Sequence, residues 1–260
     1  MARSRQVPSW LPGTIGVVGV IVAWEIVALT TAGRSGVVPT PTAIVHQFWR
    51  DRSLYPPNLD TTLHEAVEGY IVGNGLAIAL AFVAIQLPVV EKALLRVGIA
   101  TYALPIIAVA PILQVALTGN QPKVALAALA CFFTTLISTL LGLRSADPAM
   151  LDLVRAYGGG RWLQLRKVRA KAALPSIFTG LKIAAPAAVL GAIVGEWMGG
   201  QQGLGIAMVA SEQSLQISRT WGLAIVSAGI GGLAYAATAL LALILLPWAT
   251  QTSRRRGQTR

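Results

Sequence analysis

The sequence predicts an all-α membrane protein of six transmembrane helices with both termini in the cytoplasm. Three observations carry that prediction. Mean hydropathy is +0.65 with only 12% charged residues; several stretches of about 20 residues are nearly free of charge, the length a helix needs to cross a bilayer; and Lys and Arg are distributed unevenly between the two sides that those stretches define. A soluble chain of 260 residues needs more polar surface than this one offers.

Apolar runs bounded by charges and turn residues fall at about 14–31, 63–87, 97–118, 123–143, 177–199 and 221–248. They form one transmembrane domain, 14–248, with a short tail at 1–13, a loop at 144–176 and a basic tail at 249–260. The first run lies between MARSR and TTAG, which is also the pattern of a cleaved leader. Cleavage would leave five spans and put Arg254, Arg255 and Arg256 on the side opposite the 144–176 loop, so the charge pattern favours retention.

Between the first two runs lies an outer segment of about 30 residues bordered by Pro39, Pro41, Pro56 and Pro57. Within it, Thr42 to Trp49 reads as a short amphipathic helix started by Thr-Pro-Thr, an interfacial packing element on the outer surface. Pro105, Pro111, Pro186, Gly69, Gly73 and Gly75 would punctuate soluble helices, but membrane helices tolerate them. With the N-terminus inside, only Arg34, Arg50, Arg52, Lys123 and Arg219 fall outside; the other sixteen basic residues face the cytoplasm. That placement, rather than the net charge of +11, sets the meaning of the basic residues, and nucleic acid is not an expected partner.

Catalytic constellations are missing. The sequence has no GxxxxGK[ST] loop, no Cys/His cluster with metal spacing and no GxSxG elbow. His46 and His64 stand alone, and the single cysteine, Cys131, lies inside an apolar run as a small buried residue. No enzymatic activity, resident cofactor or metal is expected in this chain. Glu25, Glu65, Glu68 and Glu196 are carboxylates inside spans, each near an outer end. For the first three, snorkelling to the interface is the simpler account over solute contact. Glu196 stands in GEWMGGQQGLG with Trp197, Gly199, Gly200, Gly203 and Gly205; that segment is read either as an outer gate or path wall, or as close packing.

The 144–176 loop is the one strongly basic stretch. Ala149 to Tyr157 has helical spacing with Asp147-Pro148 as its start, Gly158-Gly159-Gly160 breaks it, and Arg161 to Ala173 reads as a second helix ending at Leu174-Pro175. Two short helices joined by a glycine turn make a knob that inserts into a cleft on a partner. A loop that only set orientation would not require the turn.

From Leu151 to Pro175 the sequence LDLVRAYGGGRWLQLRKVRAKAALP resembles the EAA loop of permease subunits of bacterial ATP-binding-cassette importers. VPTPTAIV, GLRSADP, LPSIFTGLKIA and GEWMGGQQGLG extend the resemblance over most of the chain, to the branch that carries nitrate, sulfonates, taurine, bicarbonate or thiamine-pyrimidine precursors. It implies a type I importer permease fold in the bacterial inner membrane, working as a dimer, with cytoplasmic cassette ATPases that bind ATP-Mg and an extracytoplasmic solute-binding protein as partners. In the loop it implies ATPase coupling by Asp152, Arg155, Ala156, Tyr157, Gly158, Gly159, Gly160, Arg161, Leu174 and Pro175, with Gly158 at the motif glycine and Tyr157 entering the ATPase cleft. Two departures stand out: Ala170-Lys171 replaces a first Leu-Pro, and Gly159-Gly160 replaces Ala-Ser. Glu65 in TLHEAVEGY and the GLRSADP stretch lean towards thiamine-pyrimidine or riboflavin-type carriers. The rival class is a gradient-driven secondary transporter or channel, which calls for charges near mid-span and inverted repeats, and neither is visible.

Overall fold

The structure, a computed structural model, describes residues 11–35, 37–101 and 105–248, all of whose regular elements are helical. The elements are α1 (Leu11–Ser35), α2 (Pro41–Arg50), α3 (Tyr55–Ala84), α4 (Pro88–Thr101), α5 (Ile106–Ala116), α6 (Gln121–Arg144), α7 (Pro148–Ala156), α8 (Arg161–Gln164), a π-helical turn (Leu165–Arg169), α9 (Ala170–Gly199), α10 (Leu204–Gln213) and α11 (Ile217–Leu245). Among the described residues, five helical stretches are long and apolar enough to cross a membrane: Pro12–Thr30, Tyr55–Ala84, Gln121–Arg144, Arg161–Gly199 and Ile217–Leu245. Arg3, Arg5 and the basic tail, which carry part of the orientation argument, lie outside the described residues.

Two expectations change. The run predicted at 97–118 is not one helix: α4 ends at Thr101 and α5 begins at Ile106, with Pro105 as an extended N-cap. Proline has no N–H for a helical bond and biases the residue before it away from helix. Leu174-Pro175 does not end a helix either, since α9 runs through Pro175 and Pro186. Pro175 is exposed near the helix's start, and its carbonyl accepts the Thr179 hydroxyl at 2.9 Å. The π turn just before α9 accommodates one extra residue in the ladder and lets α8 lead continuously into the span.

The described residues fall into two compact units, one drawn from Met1–Pro56 and Ala207–Val226, the other from Pro57–Ile206 and Ser227–Arg260. In the first, α2 matches the predicted amphipathic helix. Thr40 caps it, its hydroxyl accepting from the Ala43 N–H at 3.1 Å. Ile44 is buried, and the Phe48 and Tyr55 rings lie 4.6 Å apart. The Glu25 carboxylate accepts the Thr42 hydroxyl at 2.7 Å, so it bridges α1 to α2. Arg219 donates through Nε and Nη2 to the two oxygens of Asp51, the latter at 2.8 Å, and this pairing holds the Asp51 carboxyl below the usual carboxylate range.

The second unit is built on α6 and α9, which pack along their lengths, with α3 against α6. Small residues let the backbones meet: a Cβ on Gly191 would lie 2.7 Å from the Ala127 Cα, and one on Gly73 would collide with the Ala128 backbone. Polar side chains add ties, since Thr135 donates to Asn74 and the Tyr70 hydroxyl to the Leu181 carbonyl at 3.1 Å. Towards the loop end, Ala77, Ala81 and Ala84 pack with Leu136, Leu140 and Leu143, joined by Leu165, Ala173 and Ile177 from the π turn and α9. The core thus anchors the segment that carries the loop.

Candidate functional site

The loop forms the expected knob. The Asp147 side chain accepts from the Ala149 N–H at 2.9 Å, and Pro148 occupies the first turn, so α7 starts as its sequence indicates. It ends in a Schellman motif: Gly158 has φ +78°, its N–H donates to the Arg155 carbonyl at 2.8 Å, and the Gly159 N–H donates to the Val154 carbonyl at 2.8 Å. A Cβ at Gly158 would meet open space, so backbone conformation alone demands glycine there. Gly159 is constrained differently, because a Cβ would sit 2.5 Å from Val154 Cγ1.

Asp152 and Arg155 pair at 3.1 Å on the exposed side of α7. Ala156 is exposed at the end of α7, and Tyr157 at the tip is 86% exposed, flanked in sequence by exposed Met150, Leu153 and Trp162. So much apolar surface on a short polar loop is what an interaction site presents. Gly160 caps α8, and Arg161 opens it. Leu174 and Pro175 lie within α9, away from the turn.

The second predicted group, 196–205, closes on a buried polar cluster. Glu196 is 0% exposed. Its Oε1 accepts the Thr62 hydroxyl at 2.6 Å, and its Oε2 accepts the Gly205 N–H at the first turn of α10. The Leu204 N–H donates to Thr62 Oγ1 and the Gly203 N–H to Asn58 Oδ1, each at 2.9 Å. A carboxylate and two polar side chains therefore satisfy the otherwise unpaired donors at the start of α10, where the helix dipole favours negative charge. Gly203, at φ +132°, allows this closure, since a Cβ there would collide with the Glu196 carboxylate. Gly205 abuts the Ile193 carbonyl and Gly199 the Gln114 side chain, while Gly200 follows the end of α9 and Trp197 is about one third exposed.

Beside this cluster, Glu65 is 0% exposed, and its Oε1 accepts from Lys123 Nζ at 2.9 Å. Lys123 donates also to Asn120 Oδ1 at 3.1 Å, and it lies within electrostatic reach of Glu196. Glu65 therefore does not snorkel: it is fully buried and ion-paired. Glu68 is exposed on the same helix. Sequence reasoning missed Thr62, Asn58 and Lys123. The signal for Lys123 was a lone cation at the start of an apolar run, which needs a counter-charge when it packs inside.

Among the described residues no group of three or more His, Cys, Asp or Glu could hold a metal ion. Cavities on the described surface include a cationic cleft beside the knob, a polar one around Asp51 and Arg219, and two apolar ones. The larger apolar cavity, about 470 Å3, is lined by Val109, Phe133, Thr134, Ile183, Leu190 and neighbours from α5, α6 and α9.

Residues 71–256 match the family model described as the binding-protein-dependent transport system inner membrane component. Among curated relatives, the formylaminopyrimidine transport permease protein ThiX of Halalkalibacterium halodurans is 32% identical over 250 residues, covering 95% of this chain and 98% of that protein. The riboflavin transport system permease protein RibX of Chloroflexus aurantiacus is 31% identical over 78% of each chain. A probable ABC transporter permease protein of Haemophilus influenzae is 30% identical over 77% of this chain and 83% of that protein.

Proposed function

Because this chain belongs to the family of inner-membrane components of binding-protein-dependent transport systems, an ABC importer permease, we propose that two copies enclose a path for a small solute handed over by an extracytoplasmic binding protein. The knob of α7 and its glycine turn docks in a cytoplasmic ATPase that binds ATP-Mg. Closure of the ATPase pair draws the two knobs together, and because α8, the π turn and α9 form one continuous helical segment, that movement passes into the spans as a rigid-body switch. Both termini lie on the knob's side. The solute is a heterocycle of the formylaminopyrimidine or riboflavin kind, by likeness to ThiX and RibX.

The observation that supports this reading best is the Tyr157 tip, 86% exposed and held out by a Schellman turn. In this scheme Asp152 and Arg155 stiffen α7 behind the tip, and Arg161 opens α8 on the other side of the glycine turn. Leu174 and Pro175 carry the movement into α9. Glu196, Trp197, Gly199, Gly200, Gly203 and Gly205 form the outer gate, with Glu196 latching α10 through Gly205.

Copurification of the tagged protein from native membranes tests the reading. The expected result is an ATPase in equal amount that is lost in Gly158→Asp, with uptake abolished and the permease still in the membrane. ATP-driven uptake of ordinary rate by Gly158→Asp would overturn the coupling assignment, and uptake that survives ATP depletion but not collapse of the proton gradient would establish the gradient-driven alternative.

A further inference from the structure

The cationic cleft beside the knob is not explained by docking of the tip. It has a volume of about 430 Å3, and Glu91, Arg144, Arg155, Arg161, Gln164 and Arg169 line it. Glu91 pairs with Arg144 through Nε, and Arg155 pairs with Asp152, which lies just outside the lining. Arg169 spends one donor on the Leu143 carbonyl at 3.1 Å. Arg161 has no ion-pair partner among the described residues. Two of the four guanidinium charges therefore stay uncompensated, in a recess whose lining includes the buried Gln164.

We propose that this cleft binds a phosphate group. Guanidinium forks suit phosphate oxygens, which accept several charge-assisted hydrogen bonds at once, and a phosphate monoester carries about −1.5 to −2 charges at pH 7, matching the surplus. A single protein carboxylate would neutralise only half of it. Arg155 and Arg161 flank the glycine turn, whereas Arg144 and Arg169 belong to α6 and the π turn. A bound phosphate bridges these two sets and fastens the knob to the helix ends, fixing the angle at which the tip is presented. Two sources share the chemistry: the phosphomonoester headgroup of phosphatidic acid in the adjoining leaflet, and a soluble phosphate. The lipid source rests on the membrane placement proposed above; the binding itself does not.

Equilibrium binding of radiolabelled inorganic phosphate to the purified full-length protein, in neutral detergent at fixed ionic strength, tests the proposal. One saturable site per chain is expected, weakened about tenfold or more by Arg161→Gln, the loss of one or two charge-assisted bonds, with the melting temperature of the ligand-free protein unchanged. Arg169→Gln should weaken it similarly. If dihexanoyl-phosphatidic acid displaces the phosphate at lower concentration than glycerol phosphate does, the lipid is the source; equal displacement identifies the soluble ligand. Absence of a saturable site, or unchanged affinity in Arg161→Gln, overturns the proposal. So does loss of the site when the ATPase is bound, which would make the cleft part of the docking seat. An Arg169→Gln chain that loses phosphate binding yet keeps ATP-driven uptake leaves the transport reading intact, so the two can fail separately.

Discussion

Lys123→Met is the sharpest perturbation of the buried cluster. It removes the ammonium that contacts Glu65 Oε1 at 2.9 Å and Asn120 Oδ1 at 3.1 Å, while keeping a long flexible side chain of similar volume. Side-chain exposures of 9% for Lys123 and 0% for Glu65 mean that water does not take the cation's place. Breaking a buried pair by deleting one partner costs about 3–5 kcal/mol, because the remaining charge is stranded. At about 2–4 °C per kcal/mol for a domain of this size, the melting temperature in detergent should fall by on the order of 10 °C. Removing the charge on both sides, Glu65→Leu with Lys123→Met, should recover most of that loss, since an apolar replacement of a buried pair is often neutral. Thermal unfolding of the two single variants and the double variant closes a mutant cycle. A Lys123→Met protein that loses less than about 1 kcal/mol, the worth of an exposed pair, would refute the argument that the site is dry. So would a double variant no more stable than Lys123→Met.

Two further outcomes probe other elements. Gly159→Ala should disrupt the knob and lower ATPase copurification, because its Cβ would meet Val154 Cγ1 at 2.5 Å and the Val154 carbonyl at 2.7 Å; Val154→Ala in the same chain should not restore it, since the carbonyl contact remains, and full rescue would show that the side-chain clash alone is limiting. The Asp51–Arg219 pair sets a pH window: Asp51 titrates lower when folded than its ordinary value of 3.8, so its contribution is complete above that value and disappears only as pH falls through the lowered one. The pH dependence of thermal stability should therefore be the same for Asp51→Asn and the parent above about pH 5 and diverge below about pH 4, with the parent losing stability relative to the variant; divergence between pH 5 and pH 8 would contradict the pairing.

The legible parts of the fold were those whose cause lies within a few residues. Asp147 and Thr40 announce α7 and α2 because an N-cap bonds its own first turn. Gly158-Gly159 announces the break because a Schellman turn joins residues five apart. Pro105 and Pro175 show the limit of the same local logic. Both are prolines near apolar helices, yet one caps a new helix and the other lies inside a continuing one. The π turn before Ala170 and the packing of Ala173 and Ile177 into the core keep α9 helical through Pro175. Neither is visible in the residues next to it.

By itself the sequence determined that the chain is helical and membrane-spanning, that a knob follows the fourth apolar run, and that the whole resembles an importer permease. Apolar length, caps and glycine turns act at short range along the chain, so they are written in consecutive residues. Only the tertiary structure decided the fate of the charges. Glu65 and Lys123 are 58 residues apart, and Thr62 and Glu196 are 134 apart, so helix packing brings each pair together. A carboxylate near a span's end can reach water or be buried; what chooses between them is whether a neighbouring helix offers donors that offset the loss of hydration. Lys123, Thr62 and the Gly205 N–H are those donors here, and the glycines of 195–205 leave the space in which they reach the carboxylates.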